Sequence, residues 1–218
     1  MTTAPRRHLL PRGTVLHRVH RSHRSPVEFN PGSTGGTPRG GRFDSTSEEP
    51  YPYYYAALSP RTAVFEVFLD EGRDGPAEDP KVGARNRVIS AVELTVDACL
   101  VSLAEPGDLA AVGQGEWLVR GAKEDYRRTR QWARALRATA PWAQGLVWRS
   151  SKDSGARSVV LFGDRLREGA LRPLPGSSRH LDEEPHFQWL VSVLAEDGRA
   201  PWTGGDPART PWGGPAAG

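Results

Sequence analysis

Glycine and proline recur so often along this chain that regular structure is repeatedly cut short. The 24 glycines and 19 prolines among 218 residues argue against a helical bundle and for short elements joined by polar loops. With 37% hydrophobic and 25% charged residues a packed core remains attainable. The length suits one domain with some tail rather than two.

Residues 1–12 read as a loose leader, and TVLHRV at 14–19 as a strand. The stretch Ser22–Arg42, ending GSTGGTPRGGR, lacks the bulky side chains to build a core, so it is either a mobile loop or a backbone cradle around a ligand. YYYAAL at 53–58 is a second strand. Ser59-Pro60 then places an N-cap before a proline at the first helical position, and the helix that follows is expected to run to near Glu71. Residues 73–86 read as loop, 87–95 as a strand and 99–103 as another. Leu109–Thr139 is helix-rich, most clearly in YRRTRQWARALRAT, where apolar residues fall at helical spacing. GLVWR (145–149) and SVVLF (158–162) are strands flanking the polar turn SSKDSGAR, and a short helix is expected at 184–196. From 198 onward the chain is Pro/Gly-rich and expected to be disordered. Without repeats or regular βαβ alternation, the pattern predicts an α+β fold, a mixed β-sheet with flanking helices.

The pI is about 9.3 although the formal net charge is only +3. Basic residues are almost all arginine, with lysine only at Lys81, Lys123 and Lys152. Acidic residues nearly balance them and no long basic run occurs, which disfavours a nucleic-acid-binding protein. Arginine does suit phosphate, because its planar fork binds oxygen pairs bidentately. The single cysteine, Cys99, forbids an intramolecular disulfide and fits a reducing compartment. No apolar run is long enough to span a membrane, and no secretory signal is visible. The cytoplasm is the expected location.

His17, His20 and His23 recur every third residue, but a strand scatters that spacing and no acidic or cysteine partner stands at ligand distance, so no metal is expected. The glycine-rich loop is neither a Walker A motif nor a dinucleotide fingerprint. Its glycines and the adjoining Arg42 could nonetheless hold a pyrophosphate between backbone N–H groups and a guanidinium. Glu66 shares a polar stripe with Thr62 and Asp70 on the helix after Pro60. Periodicity alone makes it a solvent-facing carboxylate, whereas the sharper alternative is that the stripe lines a cleft. Ser150 and Ser151 lack a nucleophile elbow and an activating histidine, so a hydrogen-bonding or turn-capping role suits them better. Tyr51, Tyr53, Tyr54 and Tyr55 form an aromatic cluster, one member of which could stack on a planar ring.

Taken in order, LHRVH, GGRF, YYAALSPRTAVFE and GLVWRSS followed by VVLF resemble the RES family, named for its Arg, Glu and Ser. The resemblance spans residues 14–165 and sets the domain at 13–197. It implies an ADP-ribosyltransferase-like fold and an enzyme that degrades NAD⁺ by hydrolysis or phosphorolysis, with phosphate as a possible second substrate. It also implies a toxin paired with a helix-turn-helix antitoxin. By position, Arg18 and Arg42 match the arginines that hold the NAD⁺ phosphates, Arg18 also counting among the catalytic set. Tyr55 matches the aromatic residue beside nicotinamide, Glu66 the glutamate, and Ser150 the serine. GGRF stands where GGRW is commoner, and the stretch from Arg42 to Tyr55 includes an acidic, proline-containing insert, DSTSEEPYP. A serine follows Ser150 where arginine is frequent, so Ser151 and the neighbouring tyrosines stay open as alternatives. Two other activities compete: transfer of ADP-ribose to a macromolecule, and non-enzymatic nucleic-acid binding. Whether the chain forms a homodimer is left open.

Overall fold

The computed structural model describes residues 4–32, 40–69, 80–153 and 155–196. Most of the glycine-rich loop, the segment after the first helix and the C-terminal tail fall outside them. In chain order the elements are β1 (Arg7–Leu10), β2 (Val15–Arg21), β3 (Tyr53–Ala57), α1 (Pro60–Phe68), α2 (Pro80–Ala84), β4 (Arg87–Leu94), β5 (Ala98–Leu103), α3 (Pro106–Ala111), α4 (Trp117–Arg120), α5 (Tyr126–Thr139), β6 (Gly145–Arg149), β7 (Arg157–Phe162), β8 (Leu171–Pro173), β9 (Arg179–His180) and α6 (His186–Ala195).

The strands form one sheet in the order β1-β5-β6-β7-β3-β2-β4-β8, with β9 also on β4. All neighbours are antiparallel except β5 and β6. The fold is therefore the mixed-sheet α+β type that the sequence predicts. The expectation of a loose leader over 1–12 is corrected within it: Arg7–Leu10 pairs residue by residue with Ala98–Val101. Four residues are too few to show a period, so this strand exists because β5 offers it an edge. Likewise Pro80–Ala84 is a helical turn inside the expected loop, and its Ala84 is fully buried.

Strand alternation sorts the core into two faces. One carries Leu16, Tyr54, Ala56, Val92, Leu94, Leu100, Val147, Val159 and Leu161, with Leu10 and Leu171 from the two edge strands. The core helices all pack on the opposite face, yet most of these side chains are fully buried. The sheet achieves this by curling around them into a half-barrel. On the helix-bearing face two separate cores form. One gathers α3, α4 and α5 over Val101, Leu103, Leu146, Trp148, Val160 and Phe162. The other gathers α1, α2 and α6 over Val19 and Ile89.

Candidate functional site

Between these two cores the helix-bearing face holds a row of small and polar side chains. Backbone register sets Trp148 opposite Ser158, Ser158 opposite Ala57, and Ala57 opposite His17, so the four stand side by side across β6, β7, β3 and β2. Serine and alanine at the centre leave the sheet low there, with Trp148 as a wall on one side. Tyr55 is two residues from Ala57 on the same face, and its ring meets Trp148 edge-on with centroids 6.2 Å apart.

Over this floor α1 places Glu66. Ser59 caps the helix, its Oγ accepting the Thr62 N–H at 3.1 Å, and Pro60 occupies the first turn. Val64 and Phe65 anchor the buried side of α1. Glu66 is half-buried and its Oε1 accepts a hydrogen bond from Ser158 Oγ at 3.0 Å. Of the two orientations that periodicity allowed, the carboxylate thus faces the sheet. Ser158 had no marker in the sequence, since it stands at an ordinary strand position in RSVVLF.

Ser150, at the end of β6, is buried. Its Oγ accepts the N–H groups of Lys152 and Asp153 at 3.1 and 3.2 Å, so it closes the following turn as a capping serine does. Its hydroxyl proton is not used in either contact. Asp153, also buried, accepts from Thr62 Oγ1 at 2.6 Å, and Lys152 Nζ donates to the Glu66 carbonyl at 3.3 Å. The turn carrying Ser150 is therefore fastened to the helix carrying Glu66. Ser151 is exposed.

Arg42 lies on a short turn, Gly40–Asp44, packed against α5. Thr129 Oγ1 donates to the Arg42 carbonyl at 2.5 Å, and the guanidinium lies 4.8 Å over the Tyr126 ring. Its Nη1 is buried and has no hydrogen-bond partner among the described residues. Tyr55 reaches the same turn: its hydroxyl accepts the Phe43 N–H at 2.8 Å. Burial pushes the Tyr55 phenol well above its ordinary range, so it stays protonated. Burial likewise raises the Asp44 carboxyl, although hydrogen bonds from Gly41 N–H (2.8 Å) and Tyr53 OH (3.0 Å) oppose that.

Arg18 is not gathered with these residues. It shares the inner face of the sheet with Tyr54, 4.4 Å over that ring, and donates from Nη1 to the Glu28 carbonyl at 2.5 Å. β2 and β3 are joined by a single residue pair, beyond which Asn30 rather than β2 pairs with Tyr53. Arg18 thus fastens the 24–30 segment beside the opening between the two strands.

The three-residue spacing of His17 and His20 puts them on opposite faces of the sheet, His17 on the floor. Burial lowers the pKa of both. His20 Nδ1 donates to the Arg21 carbonyl at 3.0 Å, so in the neutral ring Nε2 accepts from Ser90 Oγ at 2.9 Å. A grouping the sequence did not flag is His180, Asp182 and Glu183, whose ligand-type atoms lie within 4.8 Å of one another at the surface. Asp182 already accepts the Asn86 N–H at 3.1 Å. No helix of the described residues is long and apolar enough to cross a membrane.

A curled mixed sheet with helices on one face, a glutamate above its floor and an arginine on an adjoining glycine turn define an α+β protein with a polar cleft. The RES domain family model matches residues 15–189, and the chain belongs to that family. The fold is similar to that of a chain in the crystal structure of the M. tuberculosis MbcT–MbcA toxin–antitoxin complex, with a TM-score of 0.58 at 18% identity over 78% of this chain and 85% of that one. No curated protein matches the sequence.

Proposed function

We propose that the protein binds NAD⁺ along this cleft, in the manner of an ADP-ribosyltransferase-like enzyme, and breaks the bond between nicotinamide and ribose. What carries this reading is the Glu66 carboxylate, held by Ser158 at 3.0 Å over a floor of small residues. Departure of neutral nicotinamide leaves an oxocarbenium-like ribose. A fixed carboxylate beside that sugar stabilises the charge as it develops, and most effectively where water is largely excluded. Glu66 also orients the ribose hydroxyls and the incoming nucleophile.

Arg42 grips the diphosphate through the nitrogen that lacks a protein partner. Tyr55, with Trp148 at its edge, flanks the nicotinamide ring. Ser150 turns its unused hydroxyl proton toward the nicotinamide ribose. Arg18 works from the opening between β2 and β3. Where its guanidinium now lies it orders the 24–30 segment, and it contacts a phosphate only by swinging off Tyr54. No step requires a metal. Water as acceptor yields free ADP-ribose, and inorganic phosphate yields its 1″-phosphate.

Family membership and the toxin–antitoxin origin of the structural neighbour support a role as the toxin of such a pair, acting in the cytoplasm and restrained by an antitoxin. NAD⁺ consumption by the purified protein tests the reading. Glu66→Ala removes about 3 kcal/mol of transition-state stabilisation and slows turnover about a hundredfold. Equal rates for variant and wild type would remove Glu66 from the chemistry. Labelled NAD⁺ identifies the acceptor: label in small products supports depletion, and label on protein or nucleic acid replaces it with ADP-ribosyl transfer.

A further inference from the structure

We propose that Arg130, on α5, supplies a second guanidinium to the diphosphate end of the site, beside Arg42. The proposal rests on the reading of the cleft as a dinucleotide site and extends it to a residue outside the family's Arg, Glu and Ser.

Tyr126, Thr129 and Arg130 are spaced i, i+3 and i+4, so they share one face of α5. That face docks on the Gly40–Asp44 turn. Thr129 Oγ1 donates to the Arg42 carbonyl at 2.5 Å, and Arg130 Nε donates to the Gly41 carbonyl at 3.1 Å. These two latches fix the turn to the helix without using the guanidinium ends. Arg42 Nη1 and Arg130 Nη2 remain, both buried and both without a hydrogen-bond partner among the described residues. One such nitrogen is costly to bury unpaired, and two around the same short turn make a matched set of anion donors.

Glycine is what lets Arg130 come so close. A Cβ on Gly40 would stand 2.6 Å from Arg130 Nη2 and 2.6 Å from Asp44 Oδ2. Asp44 is near enough for the Arg130 charge to act on its carboxyl, but it makes no salt bridge with either arginine: its Oδ2 accepts from Gly41 N–H and Tyr53 OH, and its Oδ1 is buried without a hydrogen-bond partner among the described residues. Burial also disfavours its charged form. A diphosphate carries two negative charges spread over several oxygens, and two planar forks arriving from different elements fit it better than one. The site therefore selects for the diphosphate of a dinucleotide over nicotinamide riboside, which has no phosphate.

The test is calorimetric titration of ADP into the full chain, alongside steady-state kinetics with NAD⁺. Arg130→Gln is expected to weaken ADP binding by about tenfold or more, the loss of a charge-assisted hydrogen bond. It should raise the KM for NAD⁺ similarly while kcat changes less than about threefold. Gly40→Ala, whose Cβ would crowd both Arg130 Nη2 and Asp44 Oδ2, should weaken ADP in the same direction if Arg130→Gln folds poorly. Arg130→Lys, which keeps a charge without the fork, should recover part of the affinity.

A purely structural Arg130 would lower thermal stability and leave ADP affinity and KM unchanged, and that result overturns the proposal. If the wild type consumes NAD⁺ and Arg130→Gln binds ADP as tightly, Arg130 is excluded while the NAD⁺ reading stands. If the wild type binds ADP through Arg130 but leaves NAD⁺ intact, the cleavage reading falls and the anion site stands. Failure of the wild type to bind ADP overturns both.

Discussion

A carboxylate on a helix face acts on a cationic sugar only if something holds it against the place where charge appears. For Glu66 that something is the Ser158 hydroxyl, rooted in β7 and itself buried. A hydrogen bond to a charged group contributes about 1.5–3 kcal/mol. Ser158→Ala should therefore lower kcat about tenfold, with the unfolding transition little changed because only one hydroxyl is lost. Glu66→Gln completes the comparison, since it keeps an oxygen for Ser158 but no charge. If Ser158→Ala turns over NAD⁺ at the wild-type rate, the contact is incidental. The resemblance to the RES family pointed to Glu66 and Arg42, whereas periodicity alone left Glu66 facing solvent and the glycine run beside Arg42 suggested only a pyrophosphate cradle. The sequence could not point to Ser158, whose importance comes from standing beside Ala57 in a register set by residues a hundred positions away. Nor could it show Arg18 turned to the inner face, because that depends on the alternation of β2 relative to a sheet not yet assembled.

Among the elements, α1 and the turn after β6 behave as one unit. Ser59 caps the helix, Ser59 Oγ and Thr62 Oγ1 lie 2.6 Å apart, and Thr62 passes the contact on to buried Asp153. Two substitutions separate capping from coupling. Ser59→Ala should cost about 1 kcal/mol of stability, as loss of an N-cap does. Thr62→Val keeps the shape of the side chain but strips Asp153 of an inward partner. It should destabilise by about 1.5–3 kcal/mol and also reduce kcat, because Ser150 and Glu66 lose their common anchor. Urea unfolding midpoints together with kcat distinguish the two, and loss of kcat in Ser59→Ala alone would refute the coupling. The cap was legible because Ser-Pro carries its own local chemistry. β1, α2, β8 and β9 were not, since elements of two to five residues show no period and owe their form to the strand or core they join.

At the scale of the whole molecule, a chain without βαβ alternation announces its α+β class, but not that its sheet curls and parts between β2 and β3. That follows from pairings no local pattern encodes. Packing on the two faces of the sheet partly or fully buries three histidines, which gives the fold a pH dependence of definite sign. His8, His17 and His20 all have pKa values lowered from 6.5, with desolvation as the leading cause in each. As pH falls below 6.5 the unfolded chain takes up protons that the folded chain still excludes, so the unfolded state is favoured. The contribution is complete above 6.5 and is lost progressively as pH drops toward the lowered folded-state values. Asp44 acts in the opposite sense, because burial raises its carboxyl above the ordinary value and the folded state binds that proton first. The free energy of unfolding should therefore decline from about pH 7.5 to about pH 5.5. His20→Gln keeps a donor for the Arg21 carbonyl and an acceptor for Ser90 while removing the titration, so its decline should be shallower. Identical slopes for His20→Gln and the wild type would mean that His20 is not held neutral in the fold, and a flat wild-type profile would say the same of all three rings.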